Sequence, residues 1–202
     1  MGLFCVVKAF PCEREGLSNE SVQGSGKIEI IMKFVKIAIV LFFAAVLQAN
    51  AQQERPIHEM HAMMLYNFIK YIQWPNETGS GDFVVGVIGE DDVFTTLKTW
   101  YDGKPKGSRK YVIRKLASSA EASECSVVYL GKGKSREFEN VKSATTGKPV
   151  LTITDSSNLG QKGSCINFKV VDGKLKFELN QSSVSGANLK VSGQLTSMAI
   201  MI

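Results

Sequence analysis

Between Ile57 and Trp74, apolar residues fall at 57, 60, 64, 68 and 71, and again at 65, 69 and 72. That spacing predicts a helix with a wide apolar stripe. Glu59, Tyr66, Asn67, Lys70 and Gln73 make its narrow polar side. Pro75 biases Trp74 toward extended backbone and closes the element. NETGSGD then reads as a loop. After it the period changes. FVVGVIG is a short β-branched apolar run, the signature of a strand buried on both faces. DDVFTTLKTWYDG, with its leading Asp and closing Gly103, predicts a short helix. KYVIRKL alternates as a strand does, and CSVVYLG is another buried strand. SREFENVKSATTG predicts a helix from Ser135 to Thr145, and PVLTITD a fourth strand.

The last forty residues differ in character. CINFKVVDGKLKFELN is two alternating runs joined by Asp172-Gly173, a strong hairpin signal. SSVSGANLKVSGQLTSMAIMI carries Leu189, Val191, Leu195, Met198 and Ala199 at helical spacing, interrupted by Gly186 and Gly193. The order is β-α-β-β-α-β behind a leading helix, with no internal repeat and no linker. It predicts one compact α/β domain of Rossmann-like build. A mixed sheet of about five to six strands is flanked by helices, with a C-terminal β-hairpin and helix.

The N-terminal quarter changes the picture of where this domain works. From Met32 the chain carries Lys33 and Lys36, then eleven unbroken apolar residues from Ile37 to Leu47, then Ala49-Asn50-Ala51. This is the build of a secretory signal peptide over 32–51, with cleavage expected after Ala51. The run is shorter than the roughly 20 residues of a membrane span. No Cys follows the small residues, so no membrane anchor is expected after cleavage. Residues 1–31 show no period and read as a start assigned too far upstream, or as a disordered extension. Residues 52–202 are then the working domain.

The whole chain carries 24 basic and 19 acidic residues. Residues 1–51 account for five and four of these, which leaves 19 and 15 in the mature part. The basic residues are scattered, with only KPKGSRK locally dense, and this excludes a nucleic-acid stripe. Of the four cysteines, Cys125 and Cys165 remain in the mature part. An oxidising compartment permits them to pair, and the sequence leaves the pairing open.

Candidate chemistry is sparse. His58 and His61 are the only histidines and share a helix face, but no third metal ligand stands at a recognisable spacing. HExxH fails because Ala62 occupies the second His position. Both histidines read as surface or core-edge residues. LGKGKS follows a strand and opens a helix, yet the first glycine of a phosphate loop would fall at Val128, inside the strand. GVIGED, from Gly86, lacks the third glycine of a dinucleotide turn. The carboxylate pairs Asp91-Asp92 and Glu137/Glu139 stand where helix starts explain them. Cys125 precedes an apolar strand and reads as an inert thiol. No catalytic residue, metal or cofactor is expected, and the chain does not read as an enzyme.

MLYNFIKYIQWP, FVVGVIG, CSVVYLG, GKPVLTITD, GSCINFKVVDGKLKFELN and GANLKVSGQL occur in the order found in the YfiR/HmsC-like family, which the chain resembles from about Ile57 to Ala199. The resemblance implies an exported periplasmic α/β domain without catalysis. Such a domain binds the periplasmic sensor part of an inner-membrane diguanylate cyclase and holds it inactive, so that cyclic-di-GMP output and biofilm formation follow envelope state. A periplasmic small-ligand-binding or sensor accessory protein is the alternative, and a homodimer stays open. The leading helix should pack most of its aromatics on the sheet, leaving Tyr66 and Trp74 as candidates for partner contact. Asn67, Asn180 and Ser192 match the family's polar positions and read as architectural. Cys125 matches a position often disulfide-bonded in relatives. The expected partner lies in the first strand, where this chain has Gly86, which leaves Cys165 as an alternative or both thiols free.

Overall fold

The computed structural model describes residues 32–36, 55–75 and 81–202. The chain divides into two units, Met1–Glu54 and Arg55–Ile202. In the first, residues 32–36 are helical and exposed. The upstream segment 1–31, the apolar run of the expected signal peptide and its cleavage point lie outside the described residues.

The second unit opens with α1 (Ile57–Tyr71), which buries His61, Ala62, Leu65, Phe68 and Ile69. There follow β1 (Ile72–Gln73), β2 (Phe83–Ile88), α2 (Asp91–Tyr101), β3 (Pro105–Lys106) and β4 (Arg109–Lys115). A 3₁₀ turn at Ser119–Glu124 leads into β5 (Val127–Leu130), and another at Lys132–Glu137 leads into α3 (Phe138–Thr145). The chain continues through β6 (Leu151–Thr154), β7 (Ile166–Val171), β8 (Lys174–Leu179), α4 (Gln181–Gly186), β9 (Lys190–Val191), α5 (Gly193–Met198) and β10 (Ile200–Met201).

One sheet has the order β10-β8-β7-β6-β5-β2-β4-β3. Six of these strands have four residues or more, and the two edge strands are two-residue additions. The pairs β2/β4, β2/β5, β5/β6, β6/β7 and β8/β10 are parallel; β7/β8 and β3/β4 are antiparallel. This is the mixed α/β sheet with a C-terminal hairpin that the pattern predicts. Asp172 and Gly173 both adopt positive φ (51° and 71°), the backbone that a two-residue hairpin turn matched to strand twist requires.

Alternate residues of each strand enter different cores. Phe83, Val85, Val87, Val127, Tyr129, Leu151 and Ile153 pack with α1, α2 and the C-terminal helices. Ile88, Val128 and Leu130 pack with Phe138 and Val141 of α3 and with Ala122. Burial on both faces is why these strands read as continuous apolar runs.

Three boundaries differ from the pattern. The helix expected from Ser135 begins at Phe138, behind the 3₁₀ turn Lys132–Glu137. The leading helix stops at Tyr71, three residues before Trp74. Ile72 is extended, and β1 pairs antiparallel with β9. The Tyr71 carbonyl is taken by the Ser192 N–H at 3.0 Å. The break is therefore a long-range pairing and not the local effect of Pro75. The expected C-terminal helix is two six-residue helices with β9 between them. Asn188 adopts φ 55°, and Leu189 N–H donates back to Val184 O. The chain turns there and begins again at Ser192.

Candidate functional site

The aromatics of α1 separate into two environments. Tyr66 is 38% exposed and stacks on Tyr101 of α2, centroids 4.5 Å apart and planes within 5°. Exposed Met63, Asn67 and Lys70 lie on the same helix face. Trp74 is 6% exposed. Its ring meets Phe83 edge-on at 4.9 Å, Lys106 sits over it, and Nε1–H donates to Ser126 O at 3.2 Å. Trp74 is thus built into the core, because the strand geometry at Ile72–Gln73 turns it inward. Of the two aromatics expected at a partner contact, Tyr66 alone is exposed.

Two of the three matched polar positions, Asn180 and Ser192, have internal partners. Asn180 caps α4, its Oδ1 accepting from Ser183 N–H at 3.0 Å and from the Ser182 hydroxyl at 2.6 Å. Its Nδ2 donates to Gly160 O at 2.9 Å. Ser192 caps α5, its hydroxyl accepting from Leu195 N–H. Asn67 is exposed. Cys125 and Cys165 are buried and unbonded to each other. They belong to the cores on opposite faces of the sheet, which is why they do not pair. Burial pushes the Cys125 thiol up to about 11 and raises the Cys165 thiol as well. Neither is a reactive thiolate at neutral pH.

The strand order reverses between β2 and β5, the place where open α/β sheets hold ligands. Gly89 follows β2 with φ 81°, and a β-carbon there would strike the Lys134 side chain. A β-carbon at Gly131, after β5, would strike Glu90. The Glu90 and Lys134 side chains cross this crevice, and their crossing accounts for a glycine in each of GVIGED and LGKGKS.

A second concavity lies further along the sheet. β6 pairs with β7 at only two positions, Ile153↔Ile166 and Thr154↔Asn167. The chain then turns away through 155–164 while the β7–β8 hairpin runs on. A notch of about 390 Å³ opens between them, lined by Lys132, Asp155, Asn158, Asn167, Lys169 and Glu178 among others. Its floor is a closed polar network. Thr154 Oγ1 donates to Asn167 Oδ1 at 2.8 Å, and Asn167 Nδ2 donates to Glu178 Oε2 at 2.9 Å. Lys169 Nζ donates to Glu178 Oε1 at 2.7 Å. Burial works to raise the Glu178 pKa, but the hydrogen bonds from Lys169 and Asn167 outweigh it, and the carboxyl stays below its ordinary value.

His61 reaches this wall from α1. It is 4% exposed and stacks on Phe168 at 4.3 Å, so it is a core residue and not a surface one. Nδ1 shares a 3.1 Å hydrogen bond with the Tyr129 hydroxyl. Nε2 has no hydrogen-bond partner and lies 3.9 Å from Asp155 Oδ2. Among the described residues no group of three His, Cys, Asp or Glu side chains could hold a metal. The sequence reading missed this cluster. Its signal was a carboxylate and an amide inside apolar runs, Glu178 in KFEL and Asn167 in CINF, which only a cross-strand pair would place together.

These features define a single α/β domain whose cores are apolar on both sheet faces and whose buried carboxylate, Glu178, lies at the notch. The sequence pattern of the YfiR/HmsC-like family matches residues 58–200, and the chain belongs to that family. A crystal structure of a conserved domain protein from Vibrio cholerae O1 biovar eltor is similar with a TM-score of 0.49 and 10% identity over 71% of this chain. This chain spans 59% of that one's length. Among the described residues no helix is long and apolar enough to cross a membrane.

Proposed function

We propose that this chain is an exported periplasmic regulator that represses a membrane-bound signalling enzyme, a diguanylate cyclase, by protein–protein contact and without catalysis of its own. The observation that carries this reading is the family match over residues 58–200, which spans almost all of the folded unit. The leader at 32–51, with cleavage after Ala51, would deliver residues 52–202 to the periplasm. The contact surface is the exposed face of α1, with Met63 and Tyr66 flanked by Lys70. An amphipathic tyrosine, apolar in body and polar at its tip, suits such a contact.

Tyr66→Glu tests this reading. The substitution removes the stacking on Tyr101 and should lower the urea midpoint by roughly 0.5 M while leaving the fold intact. Capture of a membrane sensor from envelope extract should be lost, and cyclic-di-GMP should rise as it does on deletion. Unchanged cyclic-di-GMP in the deletion strain sinks the regulatory reading. A second reading, a small-ligand accessory, is favoured by the notch, where Asp155, Lys132 and Lys169 converge on a concavity of about 390 Å³.

A further inference from the structure

His61 is the one imidazole inside the folded core, and its surroundings are unbalanced. Tyr129 of β5 holds Nδ1 at 3.1 Å, and Phe168 of β7 covers the ring face. Asp155, just past β6, faces Nε2 at 3.9 Å, beyond hydrogen-bond length. His58, one turn earlier on α1, is the other titratable group that acts on it. Glu90 reaches the cluster only through its field on Tyr129. A buried nitrogen without a partner costs free energy. Here the missing partner is a carboxylate standing about one ångström too far away, on a side chain 30% exposed at the notch wall.

The tautomer follows from this geometry. A Tyr129 hydroxyl that donates to Nδ1 leaves the proton on Nε2, pointing at Asp155. The opposite tautomer would aim a lone pair at a carboxylate. A second proton therefore enters at Nδ1. The Tyr129 hydroxyl must then turn to accept, and the ring becomes an imidazolium facing a carboxylate across a gap that is not yet closed. Charge-assisted N–H···O bonds settle near 2.7–2.9 Å, roughly 1 Å shorter than the gap. The Asp155 side chain is the partner with room to move, since it is 30% exposed at the start of the 155–164 loop, whereas His61 is held by stacking on Phe168.

We propose that His61 is a proton-driven latch: its protonation draws Asp155, and with it the 155–158 wall of the notch, onto the base of α1. Burial opposes the charge, Asp155 favours it and His58 opposes it, with the net effect of placing the switch on the acid side of an ordinary histidine. α1 also carries Tyr66, so the latch ties the notch to the face assigned to partner contact. On the regulatory reading above, the repressor would answer envelope acidification. The latch itself does not depend on that reading and is measured without a partner.

The chain has two histidines, so both imidazoles can be followed by NMR through a titration from pH 8 to pH 4.5. The full-length protein is used as purified from the expressing cell, with His58→Gln to assign the resonances. The His61 midpoint should lie below 6.5 and fall further in Asp155→Asn, which removes the attraction but keeps the shape. Backbone amides of Ser156, Ser157 and Asn158 should shift with the same midpoint. That shift should vanish in Asp155→Asn, whose side chain is partly exposed and whose fold should survive. A His61 midpoint that Asp155→Asn leaves in place, or notch amides that ignore His61, overturns the latch. Neither outcome bears on whether a cyclase is bound. Loss of cyclase binding with an intact titration would count against the regulatory reading alone.

Discussion

Gly86 decides the chemistry open to Cys125. A β-carbon placed there would lie 2.8 Å from the Cys125 sulfur and 2.6 Å from Leu116 Cδ1. The first distance is within reach of a disulfide, and the second is a flexible side-chain tip that must move aside. Gly86→Cys should therefore form a disulfide with Cys125 under mild oxidation. Closing a loop of about 40 residues stabilises by on the order of 4 kcal/mol before strain, and displacing Leu116 takes back part of that. Counting reactive thiols after denaturation, with and without reductant, checks it. The unsubstituted chain should keep both Cys125 and Cys165 reduced under the same conditions, because the sheet stands between them. A variant whose thiols all stay titratable would show that β2 and Cys125 are not packed in this way. The departure at Gly86 was legible as a missing partner; only the packing showed that the position faces the sulfur.

At the scale of elements, what the sequence revealed depended on how local each cause was. The six longer strands, the body of each long helix and the Asp-Gly hairpin arise from period and turn chemistry within ten or so residues, and they lie where the pattern puts them. Distant pairing decided the rest. The end of α1 is set by Ser192 and β9, more than a hundred residues away, so no window around Trp74 could reveal it. The notch is set by β6 leaving β7 after two pairs, and the polar floor by Asn167 meeting Glu178 across the hairpin. The same distinction separates Tyr66 from Trp74, neighbours in one aromatic stretch. Trp74→Ala should cost about 3–5 kcal/mol through the cavity it leaves against Phe83. Tyr66→Ala should cost about 1 kcal/mol, the stacking with Tyr101 and little else. Urea unfolding of the two variants checks this contrast. Equal losses would mean that α1 and α2 are buried together more deeply than the exposed Tyr66 ring indicates.

For the whole molecule, two buried ionisable groups set how folding responds to acid, and both act in the same direction. The His61 pKa is lowered in the folded state, chiefly by burial, from a value of 6.5. The unfolded chain therefore takes up this proton first. The stability it contributes is fully present above 6.5 and is lost as pH falls from there through the folded pKa, at up to about 1.4 kcal/mol per pH unit. The Glu178 carboxyl is also lower in the folded state, since Lys169 and Asn167 outweigh burial, and its unfolded reference is 4.5. Its contribution holds above that value and is lost as pH falls through the folded pKa. Stability should thus decline in two stages, the first beginning near pH 6.5 and the second near pH 4.5. His61→Phe should flatten the first stage, because a ring of similar size keeps the stacking on Phe168 and carries no proton. Asp155→Asn should extend the first stage to lower pH by removing the one influence that raises the His61 pKa. Glu178→Gln should remove the second stage while leaving the first. Urea midpoints measured at half-unit intervals from pH 8 to pH 4 separate these cases. A first stage that persists undiminished in His61→Phe would assign the acid response to another group and leave the buried imidazole a neutral packing residue at every pH tested.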